Sequence, residues 1–385
     1  MDFLFTQEQE QLREVSERFF AARGDSLRLR TLFASKLGFA PEVWREVVDD
    51  LGWTGIGVPE EFGGIGLGTV EIAIIQEALG ASLYPLPLLA TVGMAIPAIL
   101  AAGSPAQRKG LLPDIASGRI ATLACCGEDG LPQRIDALIT PEGTGFRLEG
   151  AAGFVPFGHA ADLLIVAARN PASSDHVSLV ALDRNMSGLT VTRPVSMDIA
   201  RPIARLQFDD VHVSAEAVLG RHRHAARALA CARDIAAIAL AAEQIGGAAR
   251  CLEMSVAHAK QRVAFGRPIG GFQAIKHMLA EMTLLVETGR AAVHFAARAA
   301  DDAAADGNFE ALAQAASTAK AYCSEAFFRC AADTIQVHGG MGFTWEHDAH
   351  LYFKHARCSA TELGDPAWHR ERVARSMLGP LGEAA

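Results

Sequence analysis

Apolar positions recur along this chain with two different periods, and the change of period divides it. In the first 119 residues the spacing is helical. Leu12, Val15 and Phe19 share one face, and Thr6 with Gln9 ahead of them reads as a capping box. Val43, Trp44, Val47, Val48 and Leu51 form a second face. A glycine-rich loop over residues 57–68 then leads into a helical stretch at 70–79. From about Ala121 to Val218 the pattern becomes that of strands. Short β-rich runs around Val155 and at 163–166, 177–182, 189–191 and 206–211 are separated by Gly, Pro, Asn and Asp, which predicts an antiparallel barrel or sandwich. After the basic link Arg221-His222-Arg223-His224 helical spacing returns in Ala-rich segments near 225–260, 271–303, 309–335 and 365–378. Asp365 as N-cap and Pro366 at the first helical position open the last of them. The pattern predicts an α+β chain of three domains: an all-α domain over 1–119, a β-barrel over 120–222 and a four-helix bundle over 223–385.

Composition narrows the class. At 385 residues the chain exceeds one small core, and with half its residues apolar and 21% charged it reads as globular. A net charge of −9 argues against nucleic acid or an anionic membrane as partner. No basic start precedes an apolar run, and no apolar run reaches the roughly 20 residues that span a bilayer, so the expected location is the cytoplasm. The seven cysteines have no C-x-x-C spacing and two are neighbours, Cys125 and Cys126. They are expected to be reduced thiols, neither a disulfide framework nor a metal site. His222 and His224 have ligand-like spacing, but flanking arginines and no third ligand favour a solvated link.

Two segments carry the chemistry. The first is Arg262-Val263-Ala264-Phe265-Gly266-Arg267-Pro268-Ile269-Gly270-Gly271-Phe272-Gln273, and the second is Gln336-Val337-His338-Gly339-Gly340-Met341-Gly342-Phe343. An Arg can neutralise a pyrophosphate, an aromatic ring can cover a flat heterocycle, and Gly lets backbone approach a ligand closely. In this order, at this end of the chain, they resemble the acyl-CoA dehydrogenase family. The loop Val58-Pro59-Glu60-Glu61-Phe62-Gly63-Gly64 resembles a structural turn of the same family; no strand precedes it, so a dinucleotide fingerprint is disfavoured. The three-part organisation matches the family architecture over the whole chain.

The resemblance implies FAD as cofactor and an acyl-CoA as substrate. It implies FAD contacts from Arg262, Phe265, Gln273, Gln336, Gly339 and Gly340 across a subunit interface, and an electron-transfer flavoprotein as acceptor. It also implies a dimer or tetramer. In the family a carboxylate removes the thioester α-proton while a hydride leaves the β-carbon for the flavin, and it must sit in a dry site that raises its pKa. At the two positions from which members present it, this chain has Leu363 and Ala236. Glu362 is one residue early, which in regular structure points it elsewhere. Glu243 lies two turns beyond Ala236 on nearly the same face, the only charge in an apolar run, with no basic residue at i±3 or i±4. It is the expected base; the bland alternative is a carboxylate satisfied at a helix contact. Asp234 matches an acidic substrate contact of the family. Arg233 beside it can face the CoA or a polar acyl group, or be a solvated helix-start cation. Glu346 and His347 read as a surface salt bridge.

The β region departs from the family. Cys125-Cys126-Gly127-Glu128-Asp129-Gly130 replaces the usual T-E-P-x-A-G-S-D, and Phe154-Val155-Pro156 replaces W-I-T. Phe154 can still stack on a flavin, whereas Pro156 brings neither hydroxyl nor N–H. That erosion resembles a subfamily in which two diverged chains form a heterotetramer, as in steroid side-chain and dicarboxylate degradation. Three readings stand: a dehydrogenase with Glu243 as base, a non-catalytic or composite-site subunit, and an oxygen-using monooxygenase or oxidase of the same fold. The small residues Gly246-Gly247-Ala248-Ala249 suggest either a roomy acyl pocket or close helix packing.

Overall fold

The computed structural model describes residues 5–171 and 173–379, without the side chains of 173–175. The first six helices are α1 (Gln7–Ala21), α2 (Ser26–Ala34), α3 (Pro41–Asp49), α4 (Thr69–Ser82), α5 (Ile96–Ala102) and α6 (Pro105–Ala116). The expected capping box starts α1, with the Gln9 amide donating to Thr6 Oγ1 at 3.3 Å and the Thr6 amide to Gln9 Oε1 at 3.0 Å.

Seven strands follow: β1 (Ala121–Ala124), β2 (Leu138–Glu142), β3 (Gly145–Pro156), β4 (Leu163–Asn170), β5 (Ser173–Asp183), β6 (Leu189–Thr192) and β7 (Ile203–Ser214). They form one sheet in the order β1-β4-β2-β3-β7-β6, with β5 on β4. The sheet is mainly antiparallel, as expected of a barrel or sandwich. β1 runs parallel to β4, β2 meets β4 in a single parallel pairing, and no pairing among the described residues closes the sheet. The cause is connectivity: a long connection separates β1 from the later strands, so it need not return as a hairpin. Thr91 Oγ1 donates to the Ala121 carbonyl at 3.0 Å and docks the preceding helical segment on β1.

Three long helices follow, α7 (Ala226–Gln261), α8 (Gln273–Asp306) and α9 (Phe309–His338), with α10 (Ala349–Ser359) and α11 (Pro366–Leu378) both packed on α9. Asp365 caps α11 through the Trp368 amide at 2.7 Å. The helix α10 was not foreseen, because His355 and Ser359 interrupt the buried face that Ala349, Leu351, Tyr352 and Ala356 form. A short hairpin of β8 (Val263–Ala264) and β9 (Arg267–Pro268) joins α7 to α8. By length and composition α7 could cross a membrane, contrary to the sequence expectation, yet 83% of its most apolar window is buried in the protein. It is the core helix. It crosses α4 at backbone contact: a Cβ on Gly80 would meet the Glu243 carbonyl at 1.9 Å, and one on Gly246 the Glu77 carbonyl at 1.9 Å. Gly247 is covered by the Phe327 ring. Gly246 and Gly247 therefore serve close packing, while Gly246 and Ala249 also line a pocket of about 380 Å³ against α1 and α4.

Candidate active site

Where the sheet meets the C-terminal helices lies a cavity of about 390 Å³. Cys125 and Cys126 line it from the end of β1, Phe154 from β3, Asp198 and Arg201 from the β6–β7 connection, and residues 361–365 from the loop between α10 and α11. The register of β3 on β7 slips between Ala152 and Val155, and there Phe154 takes φ +51. The bulge throws its ring outward, 48% exposed, over Gly130, where a Cβ would come within 2.9 Å of it.

Behind the cavity sits a buried ionic cluster. Arg201 binds Glu243 through Nη2 and Glu362 Oε2 through Nη1 at 3.0 Å. His355, on α10, bridges Glu243 Oε1 at 2.8 Å and Asp198 Oδ2 at 2.7 Å. Burial works against every charge here, and the partners decide the outcome. Burial alone would raise the Glu243 carboxyl, but Arg201 and His355 outweigh it and hold its pKa below the usual range. For Glu362 burial prevails over Arg201 and the pKa is raised. Burial would lower His355, yet Asp198 and Glu243 bring it up to about 9. Fully buried Lys320 donates to Ser324 Oγ at 2.9 Å and to the carbonyls of Ser359, Ala360 and Gly364 at 3.2–3.4 Å, fixing the loop that carries Glu362. Burial pushes its amine down to about 7.

The cluster revises the reading of both glutamates. Glu243 is not unpaired; its partners come from other elements, where helical spacing could not reveal them. It borders a pocket of only about 20 Å³ shared with Arg201 and His355, not the large cavity. Glu362 does not point away. Leu363 beside it has φ +60, so regular alternation fails, and Glu362 lines the cavity with Oε1 unpartnered. Leu363 and Ala236 are buried.

Asp234 is buried and held by Arg372 at 2.7 and 3.1 Å, so its carboxylate is committed to the α7–α11 contact. Arg233 is half-buried and donates to the Cys125 carbonyl at the cavity wall, not solvated as one expectation had it. His222 bonds Ser178 Oγ at 2.9 Å and packs on Phe146. No described ion pair joins Glu346 and His347; the His347 ring lies 4.4 Å from that of His338. Sequence reasoning missed Asp198, Arg201, Lys320 and His355. A lysine within the Ala-rich run of α9 was the one available signal, since a buried Lys needs a reason.

At the far end of α7 the β8–β9 hairpin and the turn after α9 stand side by side, joined by stacking of His258 on His338 at 4.3 Å. Arg262, Gln273, Gln336, Gly339 and Gly340 are exposed there, and Phe265 and Phe343 are 95% and 80% exposed. Gly339 has φ +61 and ψ −142, a conformation that only glycine adopts without strain. Rings left in water beside a free guanidinium fit an aromatic anionic ligand. The 36 residues of α7 extend about 54 Å, so this patch and the cavity near the helix start lie at opposite ends. The donor set suits FAD in two places: Phe154 and the cavity for a flat ring, Arg262 and its neighbours for an adenine diphosphate.

His355 makes stability depend on pH. Its folded pKa is raised, so its contribution is full below the unfolded value near 6.5 and is lost as pH rises through about 9. The unfolding free energy measured in urea should fall across that window by an amount on the order of a few kcal/mol, and His355→Gln should flatten the fall.

Comparison with known proteins agrees with the geometry. Residues 6–119 match the family model of the acyl-CoA dehydrogenase N-terminal domain, and residues 221–378 that of the C-terminal domain. The chain is 34% identical over 371 residues to the acyl-CoA dehydrogenase IpdE2 of Mycolicibacterium smegmatis, covering 96% of this chain and 98% of that one. Among solved structures it is similar to the ChsE4-ChsE5 complex of Mycobacterium tuberculosis, with TM-score 0.88 and 28% identity over 99% of this chain and 100% of that one. It is also similar to a variant of the Tcur3481-Tcur3483 steroid ACAD, with TM-score 0.84 and 29% identity over 97% and 98% of the two chains.

Proposed function

The chain belongs to the acyl-CoA dehydrogenase family, and from that premise we propose that it performs FAD-dependent α,β-dehydrogenation of an acyl-CoA thioester in an assembly of at least two chains. The observation that carries this is the separation of the two FAD-compatible surfaces by the length of α7. A hairpin that cannot serve its own cavity is suited to a neighbour's cofactor. When bound, FAD supplies the two-electron acceptor for the β-hydrogen.

The chain's own residues supply binding and proton transfer. Phe154 offers a ring face to the flavin, and Arg262 offers a guanidinium to the diphosphate, with Phe265, Gln273, Gln336 and the Gly339-Gly340 backbone around it. Leu123, Leu131, Ile203, Leu363 and Trp368 give the cavity an apolar lining that excludes water. The α-proton passes to a carboxylate of the Arg201 cluster. Glu362 is better placed than the expected Glu243: it faces the cavity, keeps an oxygen free, and burial raises its proton affinity. Asp234 and Arg233 act from behind the cavity wall, holding α7 to α11 and to Cys125. This reading implies an electron-transfer flavoprotein as acceptor.

A second reading has support of its own. Both usual base positions hold buried apolar residues, and the similar ChsE4-ChsE5 structure is a complex of two named chains. In a heteromer of that kind a sister chain would supply the base, while this chain lends its hairpin. The oxygen-using reading has no such support.

The test is Arg262→Ala. Loss of a charged hydrogen-bond donor costs about 1.5–3 kcal/mol, so the variant should bind FAD at least about tenfold more weakly and lose flavin on purification. Full flavin retention, or a yellow active monomer by light scattering, would sink the proposal.

A further inference from the structure

Neither the proposed dehydrogenation nor the fold uses the two neighbouring thiols in the cavity wall. All seven cysteines are free, and three of them, Cys251, Cys323 and Cys330, are sealed among helices, where burial pushes their thiols up. Cys125 and Cys126 differ. Both line the 390 Å³ cavity, and their sulfurs lie 3.9 Å apart. Arg233, anchored on the Cys125 carbonyl, keeps its Nε buried without a partner beside them.

We propose that Cys125 and Cys126 form a redox-active dithiol that binds trivalent arsenicals and is oxidised by hydroperoxides to a reversible vicinal disulfide. The sulfurs are close enough for side-chain rotation to bring both onto one arsenic, whereas bonding to each other also distorts the backbone between them. The two thiols are also unequal. The Cys126 hydrogen bond, against burial and with help from Arg233, brings Cys125 down to about 6, while Cys126 is pushed well up; the Glu362 carboxylate opposes the Cys125 thiolate. An attacking thiolate thus stands beside a thiol that retains its proton.

The oxidation balances. The Cys125 thiolate attacks one peroxide oxygen, the O–O bond breaks, and hydroxide leaves, giving a sulfenic acid on Cys125. Cys126 sulfur attacks that sulfenic sulfur, the S–S bond forms, the Cys126 proton goes to the departing hydroxide, and the second oxygen leaves as water. Two thiols lose two electrons and the hydroperoxide gains them. Adjacent Cα atoms are about 3.8 Å apart, below the roughly 4.4–6.8 Å usual for disulfides, so the product is strained and readily reduced.

The test uses the purified protein both flavin-loaded and flavin-stripped, since the flavin ring would share the cavity that the thiols line. One equivalent of phenylarsine oxide should protect two cysteines from alkylation, and Cys125→Ser or Cys126→Ser should each abolish binding. Hydrogen peroxide should remove two hydrogens from the intact mass, reversibly with dithiothreitol. Cys126→Ser should instead accumulate a sulfenic acid on Cys125 that a 1,3-dione traps. Alkylation of Cys125 should reach half its maximal rate near pH 6. Arsenical binding that survives either serine variant, or a sulfinic acid on Cys125 with Cys126 still free, overturns the proposal. So does a parent protein that binds no arsenical and loses no hydrogens. None of these readouts depends on dehydrogenation being observed.

Discussion

Glu362→Gln should leave a folded, flavin-loaded protein whose bleaching by acyl-CoA under anaerobic conditions is slowed by about 10²–10⁴-fold, the usual cost of removing a positioned general base. The amide is close in size and can still accept from Arg201, so binding and stability should change little. Glu243→Gln should behave in the opposite way. It removes the carboxylate that Arg201 and His355 share, so it should lower stability while leaving the bleaching rate within about tenfold. A stable but inactive Glu243→Gln beside an active Glu362→Gln would move the base to α7. Two active variants would place it on a sister chain.

The contrast between these glutamates marks what the sequence made legible. Features set by neighbours in the chain were readable: the Thr6 and Asp365 caps, the helical spacing of the C-terminal segments, and the paired motifs around Arg262 and Gly339. Features set by distant partners were not. Glu243 meets Arg201 across 42 residues and His355 across 112, and no local period encodes either contact. Glu362 was misjudged because its orientation depends on one left-handed residue, Leu363, and on Lys320 gathering the carbonyls of the loop. The parallel pairing of β1 with β4 was hidden for a related reason: a run of apolar residues shows that a strand forms, not which way its neighbour runs.

Arg201→Met should destabilise the protein by about 3–5 kcal/mol at neutral pH, because it leaves buried Glu362 without its paired cation and Glu243 with His355. Part of the loss should return as pH falls, since the stranded carboxylates can then take up protons and cease to be charged. Replacing the ions together should reverse the sign of the argument. In Arg201→Met with Glu243→Leu and Glu362→Leu the ions that remain are the His355–Asp198 pair and Lys320, whose amine burial holds down to about 7. Apolar packing of similar volume is often neutral or more stable than a buried ion pair. Urea denaturation of the single and triple variants separates the two effects. A single variant within about 1 kcal/mol of the parent would show the carboxylates to be solvated, the usual condition of a surface pair. A triple variant as weak as the single one would show that the cluster contributes by its geometry rather than by pairing. The stable triple variant would establish that the ions are kept for what they hold in place, Glu362 at the cavity wall, and not for stability.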